Sequence, residues 1–180
     1  MQADNSSRRD EECKYGVRRA TERLRSRVGG SVTLVVSEVD IARPPEEVFS
    51  YVTDPSLFGE WQSGVVSGHM EDAGPHSVGS KCVVTRRIGG SDRTSTSELT
   101  QLAAPRTWAI HGIDGPVRAD VTITVDPVND GLESHVTIEL DLHGHGVGKM
   151  LMPVVLQEAR KEAPLSCEKL KELLETVSGQ

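Results

Sequence analysis

The sequence predicts an α+β fold in which an antiparallel sheet runs through consecutive hairpins and ends in one long C-terminal helix. Three observations carry this reading. The first is a period of two: Val35, Ser37, Val39 and Ile41 alternate with Val36, Glu38 and Asp40, and Val121, Ile123 and Val125 alternate with Asp120, Thr122 and Thr124. The pattern is cleanest where Val136, Ile138, Leu140 and Leu142 alternate with His135, Thr137, Glu139 and Asp141. Successive strand side chains point to opposite faces, so one face is buried and the other wet, as antiparallel sheets show and buried parallel sheets do not. The second is a set of turn signals, Gly89-Gly90-Ser91-Asp92, Asp114-Gly115-Pro116 and Asn129-Asp130-Gly131, each suited to a tight reversal. The third is a change to helical spacing from about Gly146 to Ser178.

Residues 1–31 stand apart by charge. They hold eight basic and five acidic residues, a net of +3 in a chain whose formal charge is −7. Val17, Leu24 and Val28 are their only large aliphatics, too few to offset the chain entropy lost on ordering. The expectation is a flexible basic tail, helical from about Asp10 to Val28, followed by one domain over 32–178. Two alternatives stand beside it: a basic helix that meets an acidic surface or lipid headgroups, and a native start downstream of the segment.

After the first strand, Pro44 and Pro45 suit the first turn of a helix, where a missing N–H costs nothing, and Glu46 and Glu47 favour the positive end of its dipole. Val48, Tyr51 and Val52 then recur on one face. Asp54 is a candidate N-cap for a second short helix, with Phe58 and Trp61 three apart on its buried side. In the last helix, Val147, Leu151, Val154 or Val155, Ala159, Ala163, Cys167, Leu170, Leu174 and Val177 form one stripe. Pro153 and Pro164 interrupt it and predict bends near Met150 and Arg160, or a break just before Pro164.

These elements in this order, with Val78-Gly79-Ser80 at a strand start and Glu98-Leu99-Thr100 followed by Ala104-Pro105-Arg106, resemble the START-like superfamily of polyketide cyclases, dehydrases and lipid-transfer proteins, the SRPBCC type. The resemblance covers about Val32 to Val177. It implies a helix-grip fold: a curved antiparallel sheet of about seven strands wrapped around the long C-terminal helix, two short helices after the first strand, and an apolar cavity between sheet and helix.

Composition narrows the function. The acidic balance argues against generic nucleic-acid binding, and no apolar run is long enough to form an integral membrane segment. The charged first thirty residues carry no secretory signal, and three widely spaced cysteines, Cys13, Cys82 and Cys167, read as reduced thiols of a cytoplasmic protein. No metal-ligand spacing, glycine-rich phosphate loop or nucleophile–base pairing is present, so no cofactor is expected; His143-Gly144-His145 lacks an acid or cysteine to complete a zinc set.

Six aromatic residues make up 3% of the chain, and four of them, Phe49, Tyr51, Phe58 and Trp61, fall in the two short helices. Small and aliphatic residues then line most of the sheet, which favours either a residual ligand cavity or, on the plainer reading, a closed core. Trp61, Trp108, Leu151 and Val155 are the expected apolar border of such a cavity. Alternation sets Lys81, Val83, Thr85 and Arg87 against Cys82, Val84 and Arg86, so one arginine faces inward or lies at the sheet edge. An inward Arg86 or Arg87 suits a carboxylate, phosphate or enolate oxygen, and the alternative is that both reach solvent or pair with Glu98. His69 and His111 are candidate acid–base groups, although a lone strand histidine is commonly a surface residue.

Three functions follow. The first is binding of a small hydrophobic molecule, a lipid, polyketide or related metabolite, by apolar burial with a few orienting polar groups. The second, implied by the resemblance, is a cyclase, dehydrase or aromatase-type enzyme that folds a reactive chain and stabilises an enolate. The third is a protein-interaction module, which needs an exposed apolar patch.

Overall fold

The computed structural model describes residues 33–88 and 90–176; the expected tail over 1–31, the Gly89 turn position and Val177 lie outside the described residues. A single seven-stranded antiparallel sheet is built from β1 (Leu34–Ile41), β2 (Val65–Met70), β3 (Lys81–Ile88), β4 (Ser91–Ala103), β5 (Thr107–Gly112), β6 (Val117–Val128) and β7 (Glu133–Gly144). Its order is β1-β7-β6-β5-β4-β3-β2, so β2 through β7 form a continuous meander and β1 closes on β7. The sheet curls into a half-barrel around α3 (Gly148–Thr176), with two short helices after β1, α1 (Pro45–Val52) and α2 (Phe58–Trp61). This is the helix-grip arrangement that the resemblance implied.

Local chemistry accounts for the connections. Pro45 opens α1 with Glu46 and Glu47 in its first turn, and the Asp54 side chain accepts a hydrogen bond from Ser56 N at 2.9 Å to cap the following 3-10 turn. That turn packs so closely on β2 that a Cβ at Gly68 would run into the Pro55 carbonyl. Between β6 and β7, Asn129, Asp130 and Gly131 all adopt positive φ, a reversal that these residue types tolerate.

The sheet faces follow the alternation. Ile123, Val125 and Val136 are at most 2% exposed and join Ile41, Val48, Val52, Phe58, Trp61, Trp108, Leu170 and Leu174 in one core. Register places Val121 opposite Leu140, Ile123 opposite Ile138 and Val125 opposite Val136 on the inner face, while Thr122 and Glu139 pair on the outer one.

The last helix decides between two alternatives and corrects one expectation. It runs unbroken from Gly148 to Thr176 through both prolines, so no break precedes Pro164. Both prolines lie on exposed positions, where the carbonyls they leave unpaired can turn to water. Its inner stripe also differs at the start. Val147 and Leu151, expected inside, are 73% and 48% exposed, as are Met150 and Val154 at 84% and 71%. Met152, Val155, Leu156 and Ala159 take the covered side instead. Met150 to Leu156 are apolar all round, so spacing alone does not choose the buried face at the start of the helix.

Candidate functional site

The helix α3 leans chiefly on β1 and β7 and less on β6, while the short α2 packs on β2 and the 3-10 turn before it on β2 and β3. Burial falls along the sheet accordingly. Near Leu170 and Leu174 the inner positions are closed, whereas toward the start of α3 Val117, Ala119, Val121 and Leu140 keep surface that no side chain covers. The opposing Met152, Val155, Leu156 and Ala159 of α3 are also only partly covered. The partly covered positions therefore gather on the first half of the helix and the middle of the sheet. Several inner positions of the middle strands are small, Ser95 and Ser97 on β4, Gly112 on β5 and Ala119 on β6, so the inner layer is thin there.

Aromatic residues cluster on the inner side, beside the short helices. Phe58 stands edge-on to both Trp61 and Trp108, with ring centroids 5.9 and 6.2 Å apart and interplanar angles of 83°. Both tryptophans are nearly fully buried, and the Trp61 Nε1 donor has no hydrogen-bond partner. The Ser37 hydroxyl on the inner face of β1 is likewise buried without a partner. Unpartnered buried donors cost more than paired ones, so they mark places where a bound oxygen would be stabilising.

The β3 arginines divide cleanly between the faces. Arg87 lies on the exposed outer face, its Nε donating to Asp92 Oδ1 at 2.8 Å and its Nη2 to Asp92 Oδ2 at 3.2 Å. That pairing holds Asp92 below the usual carboxylate range. Arg86 shares the inner face with Cys82 and Val84, and its Nη2 donates to Gln62 Oε1 at 2.5 Å. Burial pushes its pKa down, and the neighbouring Cys82 thiol, itself pushed up to about 11 by burial, leaves that charge uncompensated at neutral pH. A guanidinium stays protonated even so, and no carboxylate pairs with this one among the described residues.

The candidate histidines lie elsewhere. His69 pairs across from Val83 on the outer face and is exposed. His111 is also outward, with its Nδ1 2.5 Å from Asp120 Oδ1, and His143 Nε2 approaches the other oxygen of Asp120 at 3.2 Å. No group of residues suited to a metal ion occurs among the described residues. Of the positions that sequence pointed to, Trp61, Trp108 and Arg86 lie on the inner side and Val155 on the covered side of α3, whereas His69, Arg87 and His111 sit on the far side of the sheet and Leu151 turns outward.

Two inner residues were missed by sequence reasoning. Gln62 follows Trp61 directly, and Arg93 stands opposite Arg86 in the β3–β4 ladder. The Gly89-Gly90 signal carried the second: a two-residue turn pairs Ile88 with Ser91, and stepping back two residues on each strand pairs Arg86 with Arg93.

The family model for polyketide cyclase / dehydrase and lipid transport matches residues 32–175. No curated protein matches the chain. Among solved structures, the Zhui aromatase/cyclase from Streptomyces sp. R1128 superposes with a TM-score of 0.65 at 13% identity, over 82% of this chain and 98% of that one. A START superfamily protein from Mycobacterium smegmatis gives 0.63 at 13% identity, over 81% and 99%. The di-domain ARO/CYC BexL gives 0.64 at 16% identity over 82% of this chain, which spans about half of that protein, 48%. At these identities the likeness is one of fold.

Proposed function

The chain belongs to the polyketide cyclase / dehydrase and lipid transport family, and from that premise we propose that it binds a small hydrophobic molecule in a cleft between the sheet and the first half of α3. The observation that carries this reading is the incomplete cover of Val117, Ala119, Val121 and Leu140, aliphatic side chains that an apolar ligand would take out of water. Each such burial is worth about 25 cal/mol per Å² of apolar surface removed from water. Arg86 and the Trp61 Nε1 donor supply the few polar groups that orient a ligand.

Binding is favoured over proton-transfer chemistry because the inner face of the described strands carries no histidine, aspartate or glutamate. A general acid or base must stand within hydrogen-bond reach of the proton it moves. The strand histidines and strand carboxylates among the described residues face the other way. Among the described residues, no helix is long and apolar enough to cross a membrane.

Titration with the neutral dye N-phenyl-1-naphthylamine tests the reading. Binding of micromolar order is expected, with Ala119→Phe, which fills the cleft, weakening it at least tenfold and the outer-face Thr137→Ala leaving it unchanged. Equal affinities for the wild type and both variants would place the dye elsewhere and remove the cleft as the binding site.

A further inference from the structure

We propose that the ligand of this cleft is an amphiphile with an anionic oxygen head, a carboxylate or phosphate, held between Arg86 and Arg93; this rests on the binding function proposed above. The two arginines are direct cross-strand partners on the inner face of the β3–β4 pair. Side chains opposite each other in an antiparallel pair lie close enough to interact, and like charges in that position repel. Neither charge is neutralised by a neighbour. Arg86 is set deep with a single neutral partner, Gln62, and Arg93 makes no ion pair among the described residues.

The surroundings strengthen the case. No strand position on the inner face is acidic among the described residues, although the chain as a whole carries a formal charge of −7. The acids of the strands are gathered on the outer face, where Asp92 takes Arg87 and Asp120 takes His111. Next to Arg93 on the inner side of β4 come Ser95 and Ser97, small hydroxyl residues that leave room for a head group and can donate to it. A buried cation needs a counter-charge or several hydrogen bonds, and paired guanidinium groups match the oxygens of a carboxylate or phosphate geometrically. The apolar floor at Ala119 and Val121 would then take the hydrocarbon tail.

The experiment compares dodecyl phosphate, dodecanoate and dodecanol by calorimetry on the full chain, with Arg93→Gln as the main variant because Arg93 is exposed and its loss leaves the core intact. At least one anion should bind tenfold or more tighter than dodecanol. Arg93→Gln should weaken the anions at least fivefold while holding dodecanol within twofold, and Arg86→Gln, if folded by circular dichroism, should do the same. The relative affinity of the phosphate and the carboxylate identifies which head the pair prefers, and either preference supports the proposal. Equal affinity of all three probes, or an equal loss of dodecanol in Arg93→Gln, overturns it while leaving apolar binding intact. Failure of all three to bind overturns the binding function itself.

Discussion

The Arg43 guanidinium closes the C-terminal end of α3: its Nε donates to the Leu174 carbonyl oxygen at 2.8 Å, across 131 residues of sequence. Helix C-termini leave carbonyls unpaired and carry partial negative charge, so a cation there meets both needs. The same residue holds the sheet, because Ser134 Oγ donates to the Arg43 carbonyl at 2.8 Å. Arg43→Ala should therefore lower unfolding stability by about 1–2 kcal/mol, the range for a charge-assisted bond at a helix end. Urea unfolding at pH 7 measures it, and a loss below about 0.3 kcal/mol would mean that water caps the helix equally well.

A second tie lies one residue further along. Glu175 Oε1 accepts from Ala42 N at 2.8 Å and stands 3.3 Å from Lys171 Nζ, and these contacts hold its carboxyl below the ordinary value, the Ala42 bond contributing most. A depressed folded-state pKa gives stability that is complete above the unfolded pKa, about 4.3 for glutamate, and is lost as pH falls through the lower folded value. Wild type should thus exceed Glu175→Gln in stability at pH 7, and the gap should close as pH is lowered below about 4. A gap that widens on acidification would assign the wrong sign to this carboxyl.

Leu170 and Leu165 are five positions apart on one helix and face opposite ways, fully buried and 52% exposed. Leu170→Ala should cost about 2–5 kcal/mol by lost burial and the cavity it leaves. Leu165→Ala should stay within about 0.5 kcal/mol, as surface changes do. Similar losses at both positions would mean that the outer face of α3 is covered in solution.

Gly148 begins α3 against the β5–β6 turn, where a Cβ would collide with the Pro116 carbonyl and where His145 N donates to that same oxygen at 2.7 Å. Backbone cannot yield as a flexible side chain does. Gly148→Ala should lower stability by about 1–3 kcal/mol through overpacking. It should also shift the start of the helix beside the proposed cleft, so its dye affinity should change together with its melting temperature. Unchanged stability would show that the turn moves aside freely.

Much of this was legible in the chain. The alternation through Val121–Val125 and Val136–Leu142 assigned inner and outer faces correctly because the strand period is exactly the pleat and only one face is dry. Pro45, Asp54 and the Asn129-Asp130-Gly131 turn acted through their own backbone geometry, so local sequence was sufficient. His111 could have been placed outward on the same grounds, since it alternates with Trp108 and Ile110, both buried.

What local pattern could not decide was any choice between two equally plausible faces. Each face of β3 carries one arginine, so alternation separated Arg86 from Arg87 without saying which goes in; the neighbouring strands and Gln62 made that choice. The start of α3 offered apolar residues on every side, and the sheet it leans on selected Val155 and Leu156 over Val147 and Leu151. Sequence by itself determined the period of each element and the turns between them, because those depend on backbone and nearest neighbours. Tertiary structure decided which β3 arginine turns inward and which side of α3 is covered, because both depend on packing between segments far apart in the chain.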